Sequence, residues 1–354
     1  MKDFKSSIHL AITALIVAFV AVGHARIVGA DDVKQRHHGR VSINVARGIK
    51  VFFDNRTTGR ITVKGWDRDV VEAHAISARG DEVVIVRTFE DSSGKTINLK
   101  ADYADLDQPG ASANPIDFPP QSEGSNLQVH LEVNIPRYTE IGLIEVWWSD
   151  VEVSGVETLV AVSSDRSTVL LKDVGAAEVR NRRGNVEIDG ISGLAVVTTS
   201  SGAIRVSNSK NAVRAVSIAG PIEIKCSTGR IDVSNTEAPI ELVNIDGDVD
   251  AIATNSSVRL TGKLRDGGRY FLKSMSGRVE MLLPANPSGF NATLSSYRGL
   301  VESDFVLSTK QAASDASHNR RRAGVYGNGK AQITLDSFEG FVRLTKLPTI
   351  PACK

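Results

Sequence analysis

Between Val186 and Leu260 the apolar positions keep a nine-residue beat. Stepping by nine from Val186 gives Ala195, Ile204, Val213, Ile222, Ile231, Ile240, Val249 and Val258, all apolar. Two residues beyond each stand Ile188, Val197, Val206, Ala215, Ile224, Val233, Leu242, Ala251 and Leu260, again all apolar. Between the members of each pair lie Glu187, Val196, Arg205, Arg214, Glu223, Asp232, Glu241, Asp250 and Arg259, eight of the nine charged. Neighbours on a strand point to opposite faces. Each unit therefore reads as a three-residue strand with two side chains inward and one charge outward. Two residues ahead of each strand stand Gly184, Gly193, Gly202, Asn211, Gly220, Gly229, Ala238, Gly247 and Ser256. Gly and Asn adopt positive φ at little cost, so this position reads as a corner.

A fixed beat of this kind marks a solenoid, because one short strand cannot close a core alone. Two units make an 18-residue coil and three make 27, with coils stacked in parallel ladders about 4.8 Å apart. Outward charge pairs are worth only about 0.2–1 kcal/mol each and do not choose between the two. Two flat sides leave less interior for small residues to fill, which favours 18. The beat slips outside this window: Val151, Val160, Val169 and Ala177 precede it, and Gly277-Arg-Val-Glu-Met281, Gly299-Leu-Val301 and Gly340-Phe-Val-Arg-Leu344 follow it. The expected fold is all-β, a single-stranded right-handed parallel β-solenoid (β-helix) of nine-residue half-coils with an irregular β cap at its N-terminal end.

Upstream, VSINV, IKVFF, ITVKGW, VVEAHAI, EVVIVRTF, TINLKADY and LQVHLEVNIP alternate with period two and read as strands. The predicted organisation is a leader over 1–25, a flexible segment over 26–40, a β cap over 41–145 with a loop at 104–126, the solenoid over 146–346 with a loop at 308–329, and a tail over 347–354. The segment 329–346 reads as a hairpin-like cap. The leader rests on Lys2 and Lys5 ahead of an apolar run from Leu10 to Gly23, too short for a membrane span, with small residues that suit cleavage after Ala25 or Ala30. This implies export to the periplasm, the cell surface or the medium, with no membrane span left after cleavage.

Composition changes the picture in three ways. Aromatics are only 5% of the chain, so the core must be built from Val, Ile, Leu and Ala. Cleavage after Ala25 removes Lys2, Asp3 and Lys5 and leaves 40 basic against 40 acidic residues, a balance with no global attraction for nucleic acid. The two cysteines, Cys226 and Cys353, make no disulfide framework and read as free thiols, one in a turn and one on a loose tail.

Thr199-Ser-Ser-Gly-Ala-Ile-Arg-Val206, Ser274-Met-Ser-Gly-Arg-Val-Glu-Met-Leu-Leu-Pro284 and Gly327-Asn-Gly-Lys-Ala-Gln-Ile-Thr-Leu335 with the following Ser-Phe-Glu-Gly-Phe-Val-Arg-Leu resemble the bacterial putative-adhesin family of unknown function. The likeness runs from about Gly48 to Lys346. It implies an exported or membrane-attached β-solenoid and brings no catalytic residue with it. Asn211, Ala238 and Ser256 depart from the corner glycine.

No catalytic constellation, cofactor motif or metal set stands out. Calcium-binding β-rolls share the nine-residue beat but need Asp in nearly every loop, and only two turns here carry one. His37 and His38 are adjacent and lack a third ligand at metal spacing. In an 18-residue coil Asp232 and Asp250 become ladder neighbours about 5 Å apart, near the spacing of a retaining glycosidase pair. A carbohydrate-active enzyme, lyase or glycosidase, is therefore the alternative function. Trp147 and Trp148 are adjacent, so one is expected to face outward, and Arg182 and Arg183 end the basic run VRNRRG. These four are the candidate ligand-binding residues. The leading expectation is a non-enzymatic adhesin-like scaffold that binds a protein or glycan of the cell envelope.

Overall fold

β-Branched residues alternating with charged and hydroxyl side chains favour extended chain over helix. The computed structural model describes residues 33–77, 85–90, 95–102, 128–308 and 320–353, and these form twenty-seven strands and no helix. The leader, the loop 104–126 and residues 309–319 of the second loop lie outside the described residues.

The chain opens with β1 (Val33–His38), β2 (Arg40–Asn44), β3 (Lys50–Trp66), β4 (Val70–Ser77), β5 (Ile85–Glu90), β6 (Thr96–Asp102), β7 (Gln128–Pro136) and β8 (Glu140–Ser154). β3 and β8 are long because each turns a corner and serves both faces of the stack. The first half of β3 pairs in parallel with β6 and with the first half of β8, and the second half pairs with β7 and the rest of β8. β1, β2, β4 and β5 close this end with antiparallel pairs. Two expectations change here. The segment 26–40, expected to be flexible, contains β1, whose backbone is ordered by pairing with β5. The expected border between cap and solenoid at 145–146 falls inside β8, and parallel stacking already begins at β3.

Next come β9 (Leu159–Arg166), β10 (Val169–Val174), β11 (Ala176–Arg183), β12 (Val186–Ile191), β13 (Ala195–Ser201), β14 (Ile204–Ser209), β15 (Val213–Ser217), β16 (Ile222–Thr228), β17 (Ile231–Asn235), β18 (Ile240–Asp246), β19 (Val249–Ala253) and β20 (Val258–Thr261). They form two parallel ladders. In one, Ala195, Val213, Ile231 and Val249 are successive partners, and in the other Val186, Ile204, Ile222, Ile240 and Val258. Partners are 18 residues apart, so the nine-residue beat alternates between the two faces. All eighteen inward residues of the pattern are buried. The strands are longer than three residues because a third inward residue extends each one toward its corner.

The chain ends with β21 (Arg269–Ser274), β22 (Val279–Pro284), β23 (Phe290–Ser296), β24 (Val301–Ser303), β25 (Arg321–Tyr326), β26 (Ala331–Ser337) and β27 (Val342–Leu347). Stacking order here departs from chain order. β26 lies between β21 and β23, and β27 between β22 and β24. The segment expected to be a hairpin-like cap is thus a coil inserted inside the stack. The loop expected over 308–329 contains β25, which pairs antiparallel with β23 and covers that edge. One buried apolar cluster runs from Val41 to Leu344 and joins all these regions. The cysteines expected to be free form a Cys226–Cys353 disulfide with Cα atoms 5.7 Å apart, because the tail lies along the stack instead of hanging loose.

Candidate ligand-binding site

The corner after the first ladder repeats a short polar signature, Ser/Thr/Asn-x-x-Gly. It occurs at Asn181–Gly184, Thr199–Gly202, Ser217–Gly220, Ser274–Gly277, Ser296–Gly299 and Ser337–Gly340. The polar residue is inward and buried. In the four serine corners its oxygen accepts the glycine N–H at the end of the turn, at 3.0 Å from Gly220 to Ser217 and 2.8 Å from Gly277 to Ser274, whereas Asn181 and Thr199 donate to the carbonyl of that glycine. The side-chain donor also reaches a carbonyl at the corner of a neighbouring coil, as from Ser274 Oγ to Ser256 O at 2.7 Å or from Asn181 Nδ2 to Ser167 O at 2.7 Å. The corner backbone is thus satisfied where the chain leaves one sheet for the other. Gly202 needs positive φ (116°), whereas Gly220 is glycine because any Cβ would run into the Gly202 carbonyl.

The two residues between the polar residue and glycine face outward, so they are presented on a rigid edge. Near the N-terminal end this edge carries most of the predicted site. Val146, Ser164 and Asn181 are ladder partners, and Trp147, Asp165 and Arg182 each follow one residue later. Arg182 Nε pairs with Asp165, and Arg166 Nε lies 3.7 Å from the same carboxylate. Arg180 pairs with Glu178 at 2.5 Å, and Arg183 is exposed beside them. Four arginines against Asp165, Glu178 and the exposed Glu145, which stands in the row of Arg180, leave a local excess of one positive charge. Trp147 and Trp148 are both half-buried rather than one out and one covering the core. The cause is a register shift in the pairing of β3 with β8, between Asn55 and Thr58, which breaks the alternation at this corner. Behind the edge, Ser164 Oγ, Ser167 Oγ and Asn181 Oδ1 are buried and have no hydrogen-bond partner among the described residues.

Asp232 and Asp250 are ladder partners on the outer face, about 5 Å apart by strand spacing. Arg230 Nε donates to both Asp232 oxygens, at 2.8 and 3.0 Å. Burial, and then the neighbouring Asp232 charge, hold the Asp250 carboxyl above its ordinary value, with Arg230 opposing them. The next rung beyond Asp250 is Phe271. Neither of the two main cavities, of about 590 and 280 Å³, is lined by this pair. The described residues hold no metal-ligating group of three or more His, Cys, Asp or Glu, and no helix long and apolar enough to cross a membrane.

Reading side-chain types alone named Trp147 and Arg182 and passed over Asp165, which stands between them in the ladder. It also missed Tyr297 and Phe338, exposed at the C-terminal end of the same edge and stacked with ring centroids 4.8 Å apart. Both follow the polar residue of the corner signature, which is the signal that marks them.

Among curated proteins the chain has no match. A solved structure described as a "putative cell adhesion protein" from Clostridium sporogenes is similar at 11% identity, covering 90% of this chain and 100% of that one, with a TM-score of 0.23. The family model described as Toastrack DUF4097 matches residues 40–345, through both ladders and both ends of the stack. The chain belongs to the Toastrack DUF4097 family.

Proposed function

We propose that the protein is a non-enzymatic, exported scaffold of adhesin-like type, wound right-handed, that presents one edge of its stack to a cell-envelope glycan bearing acidic groups. The observation that carries this reading is the row Trp147, Asp165, Arg182 with Arg183 beside it: ring surface and excess positive charge on a backbone fixed by two ladders. Aromatic rings offer contact area at low entropic cost, and arginine suits carboxylate and phosphate groups. The disulfide supports export, since such bonds persist in oxidising compartments. A glycan array on the chain without its leader tests the reading. Acidic glycans bind, binding weakens with salt, and Arg182→Ala with Arg183→Ala abolishes it. Capture of a protein and no glycan would assign the edge to a protein partner instead.

The second reading, a carbohydrate-active enzyme, is favoured by one observation: Asp250 is raised beside an arginine-bound Asp232, as an acid next to a carboxylate must be. It predicts glycan turnover that Asp250→Asn eliminates. Unchanged binding with no turnover in either protein supports the scaffold.

A further inference from the structure

The tail beyond β27 is short and covers a measurable distance. In the second ladder β27 is followed inward by β22, β20, β18 and β16. Cys226 lies on β16, so the bond to Cys353 spans four rungs, about 19 Å at roughly 4.8 Å each. Six Cα steps lead from Leu347 to Cys353, and at about 3.3–3.6 Å each they reach about 20–22 Å, to which the disulfide adds 5.7 Å between its Cα atoms. The tail therefore crosses the coils as a largely extended strap. Pro348 and Pro351 stiffen it, and Asn244 Nδ2 donates to the Pro351 carbonyl one rung before Cys226. Ile245, Lys263, Leu264 and Arg265 form the wall beneath it, facing Ile350 and Pro351 across the larger cavity.

The anchor point is also unusual. Asn208, Cys226 and Asn244 occur at 18-residue steps with φ of 55°, 51° and 54°. Asn tolerates that left-handed conformation and Cys rarely adopts it. A cysteine in this column is kept for its bond. The strap's other end is β27, which with β26 is the coil inserted between two coils that precede it in the chain.

We propose that the strap is a covalent latch on the inserted coil. Cys226 and Cys353 lose two protons and two electrons to a disulfide oxidant, forming the bond once β26 and β27 have entered the stack. A dithiol or phosphine reverses the step, giving two thiols and freeing the strap. The latch tethers β27 to coils that neither insert nor withdraw, so it opposes withdrawal of β26 and β27 specifically.

Hydrogen exchange on the full folded chain, with and without a phosphine reductant, tests this. Reduction of the native wild type should speed exchange of β26 and β27 amides at least tenfold while β13 to β16 stay unchanged. Cys353→Ser should reproduce that pattern without reductant. Equal exchange in β26 and β27 before and after reduction overturns the proposal. So does uniform acceleration across all strands, which would make the bond a general staple. Because the reduction acts on protein already folded, a variant that fails to fold does not spoil the test.

Discussion

The middle of the stack and its two ends are built by different rules. From β12 to β20 chain order and stacking order coincide, and each strand pairs with the strand 18 residues on. At the ends the order breaks. β3 lies between β8 and the later-made β6 and β7, and β26 and β27 lie between two coils that precede them. Antiparallel strands then cover the outermost edges of the first ladder, β1 on one side and β25 on the other. In the second ladder the last strand, β24, is only three residues long. Open edges present unpaired N–H and C=O groups that recruit other chains, so a stack that repeats well must also stop well. The packing differs as well. The middle core is Val, Ile, Leu and Ala, whereas the C-terminal end is filled by Phe290, Phe305 and Tyr326, with ring centroids 5.2–5.5 Å apart.

The strongest way to break this comparison is Ile204→Asp, which buries an unpaired carboxylate in the middle of a ladder. A loss of several kcal/mol and a single cooperative collapse of the stack are expected in urea unfolding. Phe290→Ala should cost about 3–5 kcal/mol but act at the end, giving a separate early transition while the middle strands hold. If both variants unfold as one unit at the same midpoint, the two regions are not distinct.

The corner signature sharpens the contrast, because it recurs in both regions with the same pair of bonds. In the middle, Asn235 donates to the Gly220 carbonyl at 2.7 Å and accepts the N–H of Ala238, which stands in the glycine's place, at 3.0 Å; at the end, Ser296 donates to the Gly340 carbonyl and accepts the Gly299 N–H, both at 2.8 Å. Alanine at either position strands a turn N–H and should cost about 1–3 kcal/mol. Thermal melts should show the Asn235→Ala loss in the main transition and the Ser296→Ala loss in the terminal one alone.

Acid titration separates two carboxylates of the middle region. Hydrogen bonds from Ser207 and Asn208 hold Asp189 below its ordinary value. Its contribution is complete above the unfolded pKa and is lost as pH falls through the lower folded one. Asp250, raised by burial and by Asp232, has the opposite sign: its favourable contribution is complete below the unfolded pKa and is lost as pH rises through the folded one. Stability curves should therefore show Asp189→Asn flattening the acid limb and Asp250→Asn stabilising the protein at neutral pH. The smallest effect is Arg205→Ala, an exposed substitution expected to cost under about 0.5 kcal/mol.

The middle was legible in the sequence because its contacts are local and both inward positions of each three-residue unit are apolar on one period. The ends were not, because their register rests on pairs such as Lys50 with Glu140 and Arg343 with Glu302, 90 and 41 residues apart. No spacing rule connects those positions. The candidate site was legible by residue type and illegible by position. Val146 and Ser164 are 18 residues apart but Ser164 and Asn181 only 17, so the one-residue slip between β9 and β11 hides the row that joins Trp147 to Arg182. The disulfide was hidden for a related reason: six extended residues reach Cys226 only once β27 sits four rungs away.

That bond also redirects force. Tension applied at Cys353 and at the N-terminal end passes straight into β16, and the chain between the two cysteines, 127 positions apart, carries none of it. At about 3.5 Å per residue, some 440 Å of chain is removed from the extensible length. The outer coils, including the exposed Tyr297–Phe338 pair, stay folded under a load that peels the N-terminal coils apart. Single-molecule pulling would read this as a contour gain short by that amount, regained in full once the bond is reduced.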